Sequence, residues 1–183
     1  MELWDAYHYS FIKIENVTLV RGEPIPKGIF HLVCDILVKH ADGTFLLMKR
    51  DSQKHFGGMW EATAGGSALA GENPFQCAIR ELKEETGIIS NDLVEVGREV
   101  SEETHSIYIE FLCVTDWEKD NISLQKGETV DYKWVSKDEL LAMKQDELVT
   151  KRMQKYIEEL NKDFDYEIAH MAFDKFKEIK SCS

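Results

Sequence analysis

The chain has 183 residues, 43% of them hydrophobic and 31% charged, with a formal net charge of -12. That length supports one domain with a substantial core, and the charge argues against non-specific binding to nucleic acid or to an anionic membrane. No stretch approaches the roughly 20 apolar residues of a membrane span.

The start, MELWDAYHYS, lacks the basic opening and apolar run of a signal peptide. Residues 1–28 read as short strands ending in a turn at Pro24, Pro26 and Gly28. IFHLVCDILVKH and TFLLMKR are two β-rich runs around Asp42-Gly43, a strong hairpin signal. DSQKHFGGMW is a loop with adjacent glycines, and EATA is a short strand candidate. Asn73 to Thr86 reads as a helix, with Pro74 suited to its first turn and Gly87 to its stop. LVEVGREV, SIYIEFLCVTDW and TVDYKWV follow as strands, and SKDELLAM opens with a capping box, Ser136 and Glu139. From residue 148 to 183 the pattern is helical, broken near Asn161–Asp165. Met153, Tyr156, Ile157 and Leu160, and then Ile168, Met171, Ala172 and Phe176, have helical spacing and read as core faces. Together these elements predict a mixed sheet, one embedded helix, and C-terminal helices packed outside. The four cysteines, Cys34, Cys77, Cys113 and Cys182, form no CxxC pair and read as free thiols of a cytoplasmic protein.

The 73–86 helix poses an electrostatic problem. Glu81, Glu84 and Glu85 crowd onto an arc of about 100°, and like charges three or four apart on a helix repel. Phe75, Ala78, Ile79 and Leu82 fall beside that arc, at about 60° to 160° from Glu81, so the acids border the apolar stripe instead of opposing it. Gly65 and Gly66, just ahead, allow a tight turn that exposes backbone amides and carbonyls. Clustered carboxylates with a carbonyl are hard oxygen ligands of the kind that suit Mg²⁺ or Mn²⁺, and a divalent cation would relieve the repulsion.

Gly66, Glu72, Arg80, Glu81, Leu82, Glu84, Glu85, Gly87 and Ile88 fill every fixed position of the Nudix box. The chain thus resembles the Nudix hydrolases over residues 28 to 142. LWDAY, RGEPIPKG and HLV look like the isopentenyl-diphosphate-isomerase-like branch. The resemblance implies an α/β/α sandwich with a mixed sheet and a loop–helix–loop box. It implies a single domain: N-terminal strands over 1–28, a Nudix core over 29–147 and C-terminal helices over 148–183. It also implies Mg²⁺-dependent hydrolysis of a diphosphate bond in a nucleoside diphosphate derivative, by in-line attack of a metal-activated water. Glu81, Glu84 and Glu85 would hold the metal, with the Gly66 carbonyl as a further ligand. One of the three, or a metal-bound water, would serve as base. Glu72 and Arg80 would pair and brace the loop. Glu128 is the best match to the extra carboxylate of the family, with Glu102 and Glu103 as competitors. Lys49 and Arg50, at a strand end, would reach a phosphate, and Trp60 would stack on a base or line the pocket. The partner is a small phosphorylated substrate, and a homodimer is compatible with the sequence.

Two departures stand out. The usual GG..EpGE lead-in reads GGSALAGE, so Leu69 and Ala70 replace the common acid and proline. The isomerase's own cysteine and histidine fall at Gly65 and Ser67, which speaks against double-bond isomerisation. A non-catalytic ligand-binding domain is the other alternative, and the complete box weighs against it.

Overall fold

The computed structural model describes residues 1–144 and 146–148. The helices expected over 148–183 lie outside the described residues, apart from Leu148. Two strands, β1 (Leu3–Tyr7) and β2 (Lys13–Val20), pair antiparallel in a sheet of their own. Reciprocal backbone hydrogen bonds between Tyr7 and Phe30, of 2.8 and 3.0 Å, join this hairpin to the chain entering the main sheet.

The main sheet has seven strands: β3 (His31–His40), β4 (Phe45–Arg50), β5 (Trp60–Glu61), β6 (Thr63–Ser67), β7 (Leu93–Ser101), β8 (Ser106–Thr115) and β9 (Thr129–Val135). β3 is its spine. It runs parallel to β8 from His31–Ser106 to His40–Thr115, and antiparallel to β6 and to the start of β4. The predicted hairpin turns at Asp42-Gly43, where Gly43 adopts φ 92°, a conformation open to glycine. The segment expected as one strand, Glu61 to Ala64, is two short strands interrupted at Ala62. Trp60 and Glu61 pair with β4, whereas Thr63–Ser67 pairs with β3, so the interruption moves the chain from one neighbour to the other.

Helix α1 (Pro74–Thr86) begins at Asn73, whose side chain accepts from Gln76 N–H while the Gln76 side chain returns the bond to Asn73 N–H. That capping box satisfies two of the amides left open at a helix start. Gly87, in the left-handed region at φ 77°, donates its N–H to Lys83 O and stops the helix. Cys77, Ala78 and Leu82 of α1 are fully buried against Cys34, Ile36, Met48 and Ile109. Phe75, expected on the apolar stripe, is 39% exposed and meets Phe111 edge-on. Cys77 takes a buried position instead, its Sγ 3.6 Å from Gly66 O in the strand ahead of α1.

Period-two alternation sends the other set of side chains to the opposite face. Leu37, Phe45, Leu47, Leu112 and Val135 pack there with Leu140 of α2 (Lys137–Ala142) and with Leu148. α2 carries the capping box read from Ser136 and Glu139. Two helices on two faces of a mixed sheet make the α/β/α layering anticipated from the sequence. Among the described residues Cys34, Cys77 and Cys113 are free, and no helix is long and apolar enough to cross a membrane.

The β3–β6 contact is unusually close at one point. A Cβ built on Gly65 would stand 2.4 Å from Cys34 O and 2.5 Å from Asp35 Oδ1. Backbone on that side cannot give way cheaply, so Gly65→Ala should destabilise by about 1–3 kcal/mol, as overpacked core sites do. A lowered urea midpoint with an unchanged slope is the expected observation.

Candidate functional site

The loop from β6 into α1 and the first three turns of α1 bring most of the expected residues together. Arg80 is the organiser. Its Nε donates to Glu72 Oε1 at 2.7 Å and its Nη2 to Glu72 Oε2 at 2.9 Å, a two-pronged pair of the strong kind. Nη2 also donates to Ser67 O at 3.1 Å, while Nη1 reaches Glu81 Oε1 at 2.7 Å and Glu84 Oε2 at 3.2 Å. Glu72 Oε2 accepts in addition from Leu69 N–H at 2.8 Å. The anticipated Glu72–Arg80 pair is therefore present, and the same guanidinium also gathers two of the three helix glutamates. These bonds hold Glu72 below the usual carboxylate range, the Arg80 contact foremost, and hold Arg80 firmly charged.

The three glutamates are not equivalent. The Glu84 side chain is 47% exposed, that of Glu81 only 12%. On the helix wheel Glu81 and Glu85 fall between fully buried Cys77, at about 320°, and Leu82, at about 100°. They are flanked by core on both sides, whereas the sequence placed them only at its border. Glu85 accepts from Gly65 N–H at 2.9 Å through Oε2. The Glu81 carboxylate lies on Gly66 so closely that a Cβ there would be 2.4 Å from Glu81 Oε1. Only glycine leaves room for it. The Gly66 carbonyl accepts from Cys77 Sγ at 3.6 Å.

Loss of solvent is the main cause that pushes Glu85 well above the ordinary carboxylate range. The charge of Glu61 adds to it, the Gly65 N–H opposes it, and Glu81 and Glu128 raise it further. Glu81 is also raised, first by desolvation and against the Arg80 bond. Glu128, chosen from the sequence, is thus among the charges that act on Glu85, and its carboxylate pairs with Lys54. Glu102 and Glu103 sit in the turn between β7 and β8, next to His105, whose Nδ1 lies 3.1 Å from Ile29 O.

Strand register separates the expected phosphate-facing residues. Lys49 pairs with Trp60, which packs with the α2-side core, and the Nζ atoms of Lys49 and Lys133 lie 5.5 and 4.3 Å from the Trp60 ring centre. Lys49 and Trp60 are therefore on the face away from α1 and its glutamates. Arg50, one residue on, alternates to the α1 face and donates to Glu61 Oε2 at 2.5 Å.

Glu61 escaped the sequence analysis. It sits opposite Met48, a residue of the α1-side core. Its one trace in the sequence is a lone acid amid the small residues of WEATAGG. Lys54 escaped too, inside a loop without a motif. Among the described residues, no three His, Cys, Asp or Glu groups converge as they stand in a geometry able to hold a metal ion. Arg80 draws Glu81 and Glu84 one way, and Gly65 holds Glu85.

The donor set nevertheless fits a hard divalent cation. The charges of Glu61, Glu81 and Glu128 all act on desolvated Glu85 and raise its proton affinity, beside a backbone cradle that a single Cβ would fill. Oxygen donors of this kind suit Mg²⁺ and Mn²⁺.

A family model described as NUDIX domain matches residues 30–160. An uncharacterized Nudix hydrolase of Listeria monocytogenes is 33% identical over 146 residues, covering 79% of this chain and 85% of that protein. An 8-oxo-dGTP diphosphatase of Proteus vulgaris is 30% identical over 103 residues, 55% of this chain and 88% of that enzyme. A crystal structure of a Deinococcus radiodurans protein superposes with a TM-score of 0.69 at 15% identity, over 86% of this chain and 98% of that one.

A carboxyl whose proton affinity is higher folded than unfolded binds more protons in the folded state. The metal-free protein must then lose stability as pH rises from about 4.3, the unfolded value, through the folded one. Glu85→Gln removes this loss while its side-chain oxygen still accepts from Gly65. In a chelator at neutral pH the variant should melt a few degrees above the parent, and the gap should close toward pH 4 in parallel thermal scans.

Proposed function

The chain belongs to the Nudix family, and on that premise we propose that it cleaves the diphosphate bond of a nucleoside diphosphate derivative with Mg²⁺ or Mn²⁺ as required ion. It is a hydrolase of the pyrophosphohydrolase class. Glu85 carries the metal-dependent reading. A desolvated carboxylate ringed by three others is costly alone and stabilised by a divalent cation.

Glu81, Glu84 and Glu85 would hold the ion, with the Gly66 carbonyl on the same side and Glu61 or Glu128 as the carboxylate from outside the helix. When bound, the ion supplies charge neutralisation at the phosphates and a lowered pKa for the attacking water. The protein's own groups do the rest. To hold an ion, Glu81 and Glu84 would turn away from Arg80, whose two bonds to Glu72 do not depend on them. Arg50 and Lys54, now paired with Glu61 and Glu128, are the cations on this face that substrate phosphates would meet. Glu85, with its raised proton affinity and its Gly65 bond, is the best placed of the three to accept a proton.

Isomerisation finds no support in the site. It would need a cysteine at 65, where the Cβ alone would stand 2.4 Å from Cys34 O.

The test is a substrate screen with Mg²⁺ or Mn²⁺ against nucleoside di- and triphosphates, dinucleotide polyphosphates, nucleotide sugars and prenyl diphosphates. Metal-dependent release of phosphate or a nucleoside monophosphate is expected. On the best substrate Glu85→Gln should lower kcat by about 10²-fold or more, the scale for loss of a group acting in proton transfer, with folding intact. Near-parental turnover in that variant would remove Glu85 from the mechanism. Mn²⁺ should also raise the melting temperature of the parent, and raise it less in the variant.

A further inference from the structure

The family match begins at residue 30, yet the β1–β2 hairpin before it touches the catalytic loop at two points. Ala70 N–H donates to Leu3 O at 2.8 Å, and Gly71 N–H donates to Asp5 Oδ2 at 2.8 Å. Asp5 is 8% exposed, and its Oδ2 also accepts from Lys13 Nζ at 2.7 Å. One Asp5 oxygen therefore ties the loop amide of Gly71 to the side chain of Lys13 on β2. Gly71 adopts φ 91°, a backbone state that the bond to Asp5 helps select. The next residue is Glu72, whose two oxygens take three bonds from Arg80 and Leu69. Arg80 in turn holds Glu81. A path of polar contacts and one peptide link, Gly71 to Glu72, thus runs from Lys13 through Asp5 and Arg80 to Glu81.

We propose that the N-terminal hairpin is a working part of the site, and that Asp5 is a positioning residue that sets Glu81 through the loop and the Glu72–Arg80 pair. Ala70 belongs to the same device. A proline at that position would have no N–H to give to Leu3 O, so alanine in place of the common proline is what lets β1 bind the loop as an added backbone partner. The proposal rests on the reading of Glu81 and Glu85 as metal-holding groups.

The test uses the full chain with Mn²⁺ as probe, in Asp5→Ala, Asp5→Asn, Ala70→Pro and Ala70→Ser. Loss of a group that orients a ligand weakens metal binding by about 10- to 100-fold. Mn²⁺ affinity, read by titration of the free-ion resonance signal, should fall by about tenfold in Asp5→Ala and Ala70→Pro, the lower end of that range. kcat should fall with it, and KM should change little. Asp5→Asn, which keeps an oxygen for Gly71, and Ala70→Ser, which keeps the N–H, should stay near the parent. Hydrogen exchange at the Leu69 and Glu72 amides should quicken in the first two variants and not in the second two. Asp5→Ala and Ala70→Pro proteins that fold, bind Mn²⁺ as the parent does and keep slow exchange at those amides would overturn the proposal. Glu85→Gln separates the two ideas. If it binds Mn²⁺ as tightly as the parent, the metal-site reading falls, and unchanged exchange at Leu69 and Glu72 is then the result that rejects the brace.

Discussion

Desolvated negative charge is the constraint to which the rest of the site answers. Glu85 and Glu81 emerge from α1 between fully buried Cys77 and Leu82, and Glu61 and Glu128 bring further charge to the same region. Each of the other acids has a cationic partner: Arg80, shared by Glu72, Glu81 and Glu84, Arg50 for Glu61, and Lys54 for Glu128. Glu85 has one backbone amide. A neutral donor offsets less of the lost hydration than a cation does, so the deficit concentrates on Glu85. In a structural helix that would be a fault. In a site that takes up a divalent ion, the unmet demand becomes affinity, because the ion's charge is repaid where the protein's own charges fall short.

The same constraint explains the glycines. Glu81 can lie over the loop because Gly66 has no Cβ, and β6 can approach β3 because Gly65 has none. The two adjacent glycines serve different neighbours. Gly65 clears the β3 backbone and lends its N–H to Glu85, while Gly66 clears the Glu81 carboxylate. Alternation along β6 sends the two positions to opposite faces, so neither can do the work of the other.

Much of this was legible in the sequence, for identifiable reasons. Local signals set α1: Pro74 suits its first turn, Gly87 ends it, and the wheel brings the glutamates together. The Glu72–Arg80 pair came from the resemblance to the Nudix box, whose residues all lie on one continuous loop–helix segment. Glu61 was missed, and the face taken by Lys49 and Trp60 was not legible, because their placement depends on strand register. Reversing the face of a strand residue takes a shift of one position, and no local pattern in KRDSQKHFGGMWEATA states which residue sits opposite Met48. The contacts of Asp5 were equally hidden. They join residues separated by 66 positions, and what reports them in the sequence is indirect, an alanine where proline is usual.

The sheet divides labour between its faces, and β4 shows how sharply. Met48 and Arg50 face α1, one in the core and one paired with Glu61, while Leu47 and Lys49 face the α2 side. Basic residues thus alternate at the strand end, and only one of the adjacent pair serves the carboxylates. Lys49 and Lys133 instead cover the Trp60 ring, an arrangement that shields an indole at the sheet edge with two ammonium groups. The Trp60 backbone N–H donates to Glu147 O at 2.8 Å, so the main chain there is held by the segment that leaves α2. That bond also fixes the start of β5, and with it Glu61, one residue on and on the other face. The backbone of Trp60 therefore helps set, from behind the sheet, the register that brings Glu61 near Glu85.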